Sequence, residues 1–247
     1  MTDDPFRHFA ADYDWGFPGH GESAQFLRRI FESHGVRTAL DCACGTGRDL
    51  ILLAQMGFRM CGSDISPAML RQARLNLRAH GLSVPLHRVD FRALHSSFNR
   101  RWDAVICLST SLPQLPNRRE VLRALRSMRA VIEPGGILIL SQGMSDKLYR
   151  LQSRRVRVYD DESGTRDMLI DYGKRCWKVR VVDTRKKPGG PATSAYEFRY
   201  LRLLLEDHLR LLGQAGFTAV EAFDGFSGRR YSKRESASLL LACSNPE

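Results

Sequence analysis

From residue 36 onward the apolar positions alternate between a strand-like and a helix-like spacing. Residues 36–42, VRTALDC, suit a buried strand, and residues 48–58 then set Leu50, Leu53 and Ala54 at helical spacing until Gly57 ends the pattern. A second run, FRMCGSD, closes on Asp64, and the helix after it opens with Ser66 as N-cap and Pro67 at its first position. Further strands are expected at VPLHRVD (84–90), WDAVICLST (102–110) and GGILILSQG (135–143), with an amphipathic helix over 118–133. Centres such as AVICL and ILIL are apolar at both parities, as strands covered on two faces require. Strand and helix in repeated succession imply a parallel sheet with right-handed crossovers.

After Gly143 the period changes. RVRVY, MLIDYG, CWKVRVVDTR and SAYEFRYLRLLL alternate apolar with charged residues, separated by turn chemistry at 161–164 and 187–191. Period-two alternation with polar turns predicts antiparallel strands with one wet face. LEDHLRLLGQAGF returns to a helix, and TAVEAF and SASLLLAC bring the main sheet to seven strands. The expected fold is therefore α/β, a doubly wound, seven-stranded, Rossmann-like sheet carrying an antiparallel β insert after its fifth strand. The expected division is an N-terminal helical cap (1–35), a core (36–145 and 204–247) and an insert (146–203) over the sheet's carboxyl edge.

Composition narrows the setting. The 247 residues are 43% hydrophobic, enough for a full core, and no apolar run reaches the roughly 18 residues of a spanning helix. The first residues, MTDDPFRHFAADYDWGF, lack the cationic start and apolar middle of a secretory signal. A soluble, cytoplasmic protein with reduced thiols is expected, with no membrane partner. Net charge is +11, from 38 Lys and Arg against 27 Asp and Glu, which permits nucleic-acid binding without favouring it. Arg123, Arg126 and Arg129 fall opposite Val121, Leu122, Leu125 and Met128 and read as a solvated helix face. Clusters at Arg154, Arg155 and Arg157, and at Arg229, Arg230, Lys233 and Arg234, lie where a substrate or an acidic partner could meet them.

The chemistry concentrates in DCACGTGRDL, residues 41–50, the turn from the first strand into the first crossover helix. Cys42 and Cys44 have one residue between them and no second pair, so a metal site is not expected. Gly45 and Gly47 let the backbone turn sharply and approach a ligand, and the helix N-terminus adds N–H donors. A dinucleotide fingerprint would place a small residue at position 50, where Leu50 stands.

Asp41, Ala43, Gly45 and Gly47 match D-x-G/A-x-G-x-G, and here the sequence resembles the class I S-adenosylmethionine-dependent methyltransferases over most of its length. The resemblance implies S-adenosylmethionine as cofactor. It implies that Asp64, with Ile65 beside it, takes the ribose hydroxyls, although a helix cap is the other use of such an acid. It puts Asp90 and Phe91 beside the adenine, an Asx-turn being the other use of Asp90. Asp41 would hold the turn and meet the cofactor's ammonium, with Cys44 and Leu108 in the same wall. The turn CLSTS, 107–111, would set the transferred methyl beside the acceptor, with Ser109 and Thr110 at the reacting centre.

Within that class CACGTGRDLILLAQMGF, GSDISPAML and the upstream ADYD resemble the glycine and sarcosine N-methyltransferases. There an aromatic residue of the N-terminal segment closes over the cofactor; Tyr13 stands at that place, with Trp15 as second candidate. The chain departs from the glycine enzyme's pattern at Thr110, where that enzyme has Asn, and at Met144-Ser145-Asp146, where it has Asn-Tyr-Asp. Both departures lie on the acceptor side. The expectation is methyl transfer to a small-molecule acceptor, at nitrogen, with RNA or protein methylation or a silent cofactor-binding scaffold as alternatives. The oligomeric state stays open, a homodimer being one candidate. Acceptor-side partners are sought among Tyr13, Ser109, Thr110, Gln142, Asp146, His208, Tyr172, Trp177 and Tyr196, with the insert's arginines as holders of an acidic group; of these, His208 reads more readily as helix surface.

Overall fold

The computed structural model describes residues 4, 6, 7, 9–16 and 21–246. Its main sheet is formed by β1 (Thr38–Asp41), β2 (Arg59–Asp64), β3 (Leu86–Arg88), β4 (Trp102–Cys107), β5 (Ile132–Gln142), β10 (Thr218–Asp224) and β11 (Leu239–Ser244). The strand order is β10-β11-β5-β4-β1-β2-β3, with β11 antiparallel to β5 and β10 antiparallel to β11. The strand sequence reverses direction across the sheet between β1 and β4, and in doubly wound sheets ligands bind outside the carboxyl ends at such a point.

Both parities of the central strands are buried because each face is covered. Leu40, Val105, Cys107, Leu138 and Leu140 face α4 (Leu94–Ser97), α5 (Arg118–Ala130) and α7 (Leu205–Ala215). Their neighbours Ala39, Ala104, Ile106, Ile137 and Ile139 face α1 (Gly21–Ser33), α2 (Arg48–Gln55) and α3 (Pro67–Ala79). Helix α1 thus packs on the sheet, leaving the segment up to residue 16 as the part that reaches over the carboxyl edge. Cys42 and Cys44 belong to opposite faces, which is why two thiols so close in sequence do not converge.

The insert follows β5. A short helix, α6 (Asp146–Leu151), capped by Ser145, precedes a meander of β6 (Arg155–Asp161), β7 (Gly164–Tyr172), β8 (Cys176–Lys187) and β9 (Gly190–Leu201). Periodicity places most elements to within a few residues. The differences sit at junctions. Helix α5 stops at Ala130 because Ile132 pairs with Trp102 and begins β5 early, and β9 starts at Gly190, four residues before the apolar alternation, because a tight hairpin pairs Lys187 with Gly190. Helix α6 carries no apolar stripe long enough to register as periodic.

Candidate active site

The loop after β1 is built around two carboxylates, Asp41 buried and Asp64 half-buried. Asp41 accepts from the Ala43 N–H at 3.1 Å and closes the turn; burial, reinforced by the Asp49 charge, pushes its carboxyl well above the usual range. Gly45 and Gly47 both have positive φ, +52° and +83°. A Cβ on Gly45 would meet nothing within 4 Å, so the cost there is strain together with bulk in the cleft, whereas one on Gly47 would press to 3.2 Å from Ala73 Cβ. Asp64, at the end of β2, accepts from the Gly45 N–H at 2.9 Å and from the Ser66 N–H at 2.8 Å. Burial raises its carboxyl, and those backbone bonds pull it back. Capping of α3 falls to Ser66, whose Oγ accepts from the Met69 N–H, so the Asp64 carboxylate is not spent on the helix.

A side cavity of about 190 Å³ continues past Asp64 between Ala43, Phe6, Ile65, Phe91 and Leu115. Ile65 is 56% exposed, an apolar side chain left uncovered at this rim. Asp90 also lines it, yet its carboxylate caps the turn at Arg92 N (2.8 Å) and pairs with the Arg92 guanidinium, which reaches on to Glu120. Burial alone would raise the Asp90 carboxyl; the Arg92 bonds outweigh it and hold it below the usual range. The Asx-turn is therefore present, and Phe91 supplies the apolar surface.

The turn after β4 is strained. Ser109 and Thr110 both take left-handed backbone, φ +57° and +68°, which for non-glycine residues costs of order 1–3 kcal/mol each. Hydrogen bonds to β5 impose it: the Ser109 N–H donates to Ser141 Oγ, the Thr110 N–H to Ser141 O, and the Gly143 N–H to Thr110 Oγ1, each at 3.0 Å. Thr110 thereby fastens two strand ends together, while Ser109 stays exposed and meets the Tyr13 side chain in a hydrogen bond.

Between these loops and the inner face of the insert lies a cavity of about 390 Å³. Tyr13, Ala43, Cys44, Gly45, Asp64, Leu108, Ser109 and Thr110 line it, so most expected site residues converge. Asp41 and Gly47 stand behind the wall as supports. Burial pushes the Tyr13 phenol up, with Arg48 and the Ser109 bond acting in the opposite sense. Burial also raises Tyr200, so both phenols keep their protons near neutrality.

The N-terminal segment is held from both sides. Asp14 accepts from Thr46 Oγ1 at 2.6 Å and from Asn76 Nδ2 at 3.0 Å, tying it to the glycine loop. From the insert, the fully buried Arg166 pairs with Asp183 (2.6 and 2.7 Å) and donates to the backbone carbonyls of Tyr13 (2.9 Å) and Asp12 (3.0 Å). Trp15 is drawn off to the insert, with the Arg185 guanidinium 4.5 Å above its ring and its Nε1–H on Ser163.

Several expectations are corrected. Asp146 does not face the cavity; its carboxylate accepts from the Tyr231 hydroxyl at 2.9 Å. Tyr172 donates to Ser153 O, Trp177 is wholly buried, and Tyr196 packs on Phe9. His208 is not surface: it is 2% exposed, its Nε2 lies 2.9 Å from Gln142 Oε1, and burial lowers its pKa to about 4. Gln142 donates to the Met144 and Leu203 carbonyls, so its Oε1 accepts and His208 carries its proton on Nε2. The insert's arginines do not reach the cavity. Arg155 and Arg157 pair with Asp167, and Arg180 with Glu197, on the outer face; in the C-terminal cluster, Arg229 pairs with Asp224 and Lys233 with Glu206.

Sequence reading missed Phe6, Phe9, Arg48, Gln114, Phe198 and Tyr200, all in the cavity wall. Tyr196, Phe198 and Tyr200 share one parity of β9, a signal that could have found the last two, whereas nothing local marks Phe6 or Gln114.

A methyltransferase-domain family model matches residues 39–136, the span from β1 into β5. Over 220 residues the chain is 36% identical to a glycine/sarcosine N-methyltransferase of Parasynechococcus marenigrum, covering 86% of this chain and 74% of that protein. A second, from Halorhodospira halochloris, is 33% identical over 223 residues, covering 86% and 77%. In fold the chain is similar to an S-adenosylmethionine-dependent methyltransferase of Clostridium acetobutylicum, with a TM-score of 0.83 at 18% identity over 98% of this chain and 99% of that one. With the glycine loop, the acid at the end of β2 and the cavity at the sheet's reversal point, the chain belongs to the class I S-adenosylmethionine-dependent methyltransferases, in the family of the glycine/sarcosine N-methyltransferases.

Proposed function

We propose that the chain methylates a nitrogen of a small molecule held between the turn after β4 and the inner face of the insert. The observation that carries this reading is the single cavity of about 390 Å³ that joins Gly45 and Asp64 to Ser109 and Thr110 beneath Tyr13. When bound, S-adenosylmethionine supplies a methyl carbon on a positively charged sulfur, which leaves with the carbon–sulfur electron pair as the methyl passes to the acceptor. Fit to this cofactor rests on the open space at Gly45, on an Asp64 carboxylate free of capping duty, and on the apolar side cavity at Ile65 and Phe91.

Asp64 would take the ribose hydroxyls, Ile65 and Phe91 would enclose the adenine, and Asp41 would keep the glycine loop in shape. Ser109 and Thr110 would hold the acceptor against the methyl, the strained turn fixing its direction of approach; alignment of this kind is worth about 7–11 kcal/mol. Tyr13 would close the site from water and steer the acceptor nitrogen by its hydroxyl. Phenols with raised pKa donate and accept hydrogen bonds but take no proton near neutrality, and among the described lining residues there is no histidine. That chemistry suits an amine, which brings its own lone pair, better than a hydroxyl, which needs a base.

The insert would act as the acceptor lid. An RNA or protein acceptor is less well served, because Tyr13 and the insert cover the site and most of the clustered cations, Arg155, Arg157, Arg229, Arg230 and Lys233, sit in ion pairs. The test is isothermal titration with S-adenosylmethionine, then labelled-methyl transfer to a panel of amines. Saturable binding with amine turnover is expected; binding without transfer to any small amine would reject the reading.

A further inference from the structure

The insert's inner face is positioned to meet the part of the acceptor that does not react. Period-two alternation decides what it offers. On β6, Val156 and Val158 point inward while Arg155 and Arg157 point out to Asp167. On β7, Met168 and Ile170 line the cavity and Asp167 and Leu169 do not. On β8 and β9, Val181, Phe198 and Tyr200 line it, and Arg180 and Glu197 pair outside.

Arg166 is the exception, an inward guanidinium on β7, and it is fully committed to this chain. Its side chain is 0% exposed, bonded to both oxygens of Asp183 and to the carbonyls of Asp12 and Tyr13. Arg185 on β8 is likewise held, by Asp12 and the Trp15 ring. Among the described lining residues, Arg48 is the sole Lys or Arg, and it sits at the first position of α2 on the cofactor loop. A carboxylate on the acceptor would therefore enter an apolar wall without a cation of its own, which is heavily penalised. The same wall welcomes aliphatic and aromatic surface and favours the uncharged form of an amine.

Resting on the N-methylation reading above, we infer that the acceptor is a primary or secondary amine on an uncharged, apolar or aromatic body, and that amino-acid zwitterions are poor acceptors for this chain. The amine lone pair forms the new nitrogen–carbon bond, and the surplus proton on nitrogen leaves to water. Glycine and sarcosine, named for the relatives, would then be disfavoured here because the insert's inward positions at the cavity carry Val, Ile, Met, Phe and the phenol of Tyr200, none of them a cation.

The test compares phenethylamine with phenylalanine, which differ by one carboxylate, alongside glycine and sarcosine, using the full chain and labelled S-adenosylmethionine. A kcat/KM at least 100-fold higher for phenethylamine than for the three carboxylates is expected. Equal or better turnover of phenylalanine, glycine or sarcosine would overturn the inference and leave the N-methylation reading intact. No transfer to either class, with cofactor binding intact, would defeat both. Met168→Arg, and separately Val158→Arg, place a cation on the wall; the preference should shrink at least tenfold in whichever variant keeps wild-type cofactor affinity and circular dichroism. An unchanged preference in such a variant would show that the wall does not select.

Discussion

On the β1–β2 side the cavity is lined by Gly45, Thr46, Arg48, Asp49 and Asp64; on the insert side it is lined by Val156, Met168, Val181 and Phe198. The first wall is polar, strained and built from three short turns, with Asp64 in the wall and Asp41 behind it both held by backbone N–H groups. The second is a flat apolar sheet face whose charges all point away or are spent. On the proposed reading, the first side would recognise a fixed, polar molecule atom by atom. The second would exclude water and discriminate by shape and charge, so acceptor choice could change with a few side chains while the cofactor side stays as it is.

Arg166 joins the two walls through the Tyr13 segment. Arg166→Leu leaves Asp183 buried without its partner, so a loss of about 3–5 kcal/mol in denaturant-measured stability is expected. The double change Arg166→Leu with Asp183→Leu should recover much of that loss and yet still release the Tyr13 segment, read as faster proteolysis near residue 13. On the polar side, Gly45→Trp forces a left-handed backbone on a bulky residue and fills the cleft. Calorimetry should show S-adenosylmethionine affinity falling at least 100-fold, about 3 kcal/mol, and an unchanged Kd would remove Gly45 from the cofactor wall.

Behind both walls, His208 ties Gln142 to α7 in its neutral form. Its folded pKa, about 4, lies below the unfolded value near 6.5, so its contribution is whole above pH 6.5 and is lost as pH falls from there to about 4. Over that window wild type should lose about 3 kcal/mol more than His208→Gln does, by urea unfolding at each pH. The smallest effect is expected where the walls touch: Tyr13→Phe removes the hydroxyl shared with Ser109 and should lower kcat about tenfold while changing cofactor Kd less than threefold, about 1.4 kcal/mol on the chemical step. Equal loss in Kd and kcat would make Tyr13 part of the cofactor clamp only.

The polar wall was largely legible because its chemistry is local. Asp41, Gly45 and Gly47 sit within seven residues, Asp64 closes a readable strand, and Ser66 and Pro67 mark the helix that frees Asp64 from capping. The apolar wall was legible as alternation, but which parity faced inward was not, since β6 to β9 carry apolar and charged residues in nearly equal measure. The arginines were therefore expected at the substrate and are found on the other face or locked by Asp183. His208 was misjudged for the same reason: LEDHLRLL reads as amphipathic, and only the approach of β5 and Gln142 buries that side of α7.

Strand period, helix period and turn chemistry act over a few residues and need no distant partner, so the sheet, its helices, the glycine loop and the acid that closes β2 were all readable in the chain. Long-range packing was needed to bring Tyr13 and not Trp15 to the cavity, to hold Arg92 between Asp90 and Glu120, to take Asp146 and Tyr196 elsewhere, and to turn the insert's apolar face to the cavity. Those outcomes depend on contacts between segments up to about 150 residues apart, Arg166 on the Tyr13 carbonyl among them, where burial and pairing, not local preference, set which side chain faces inward.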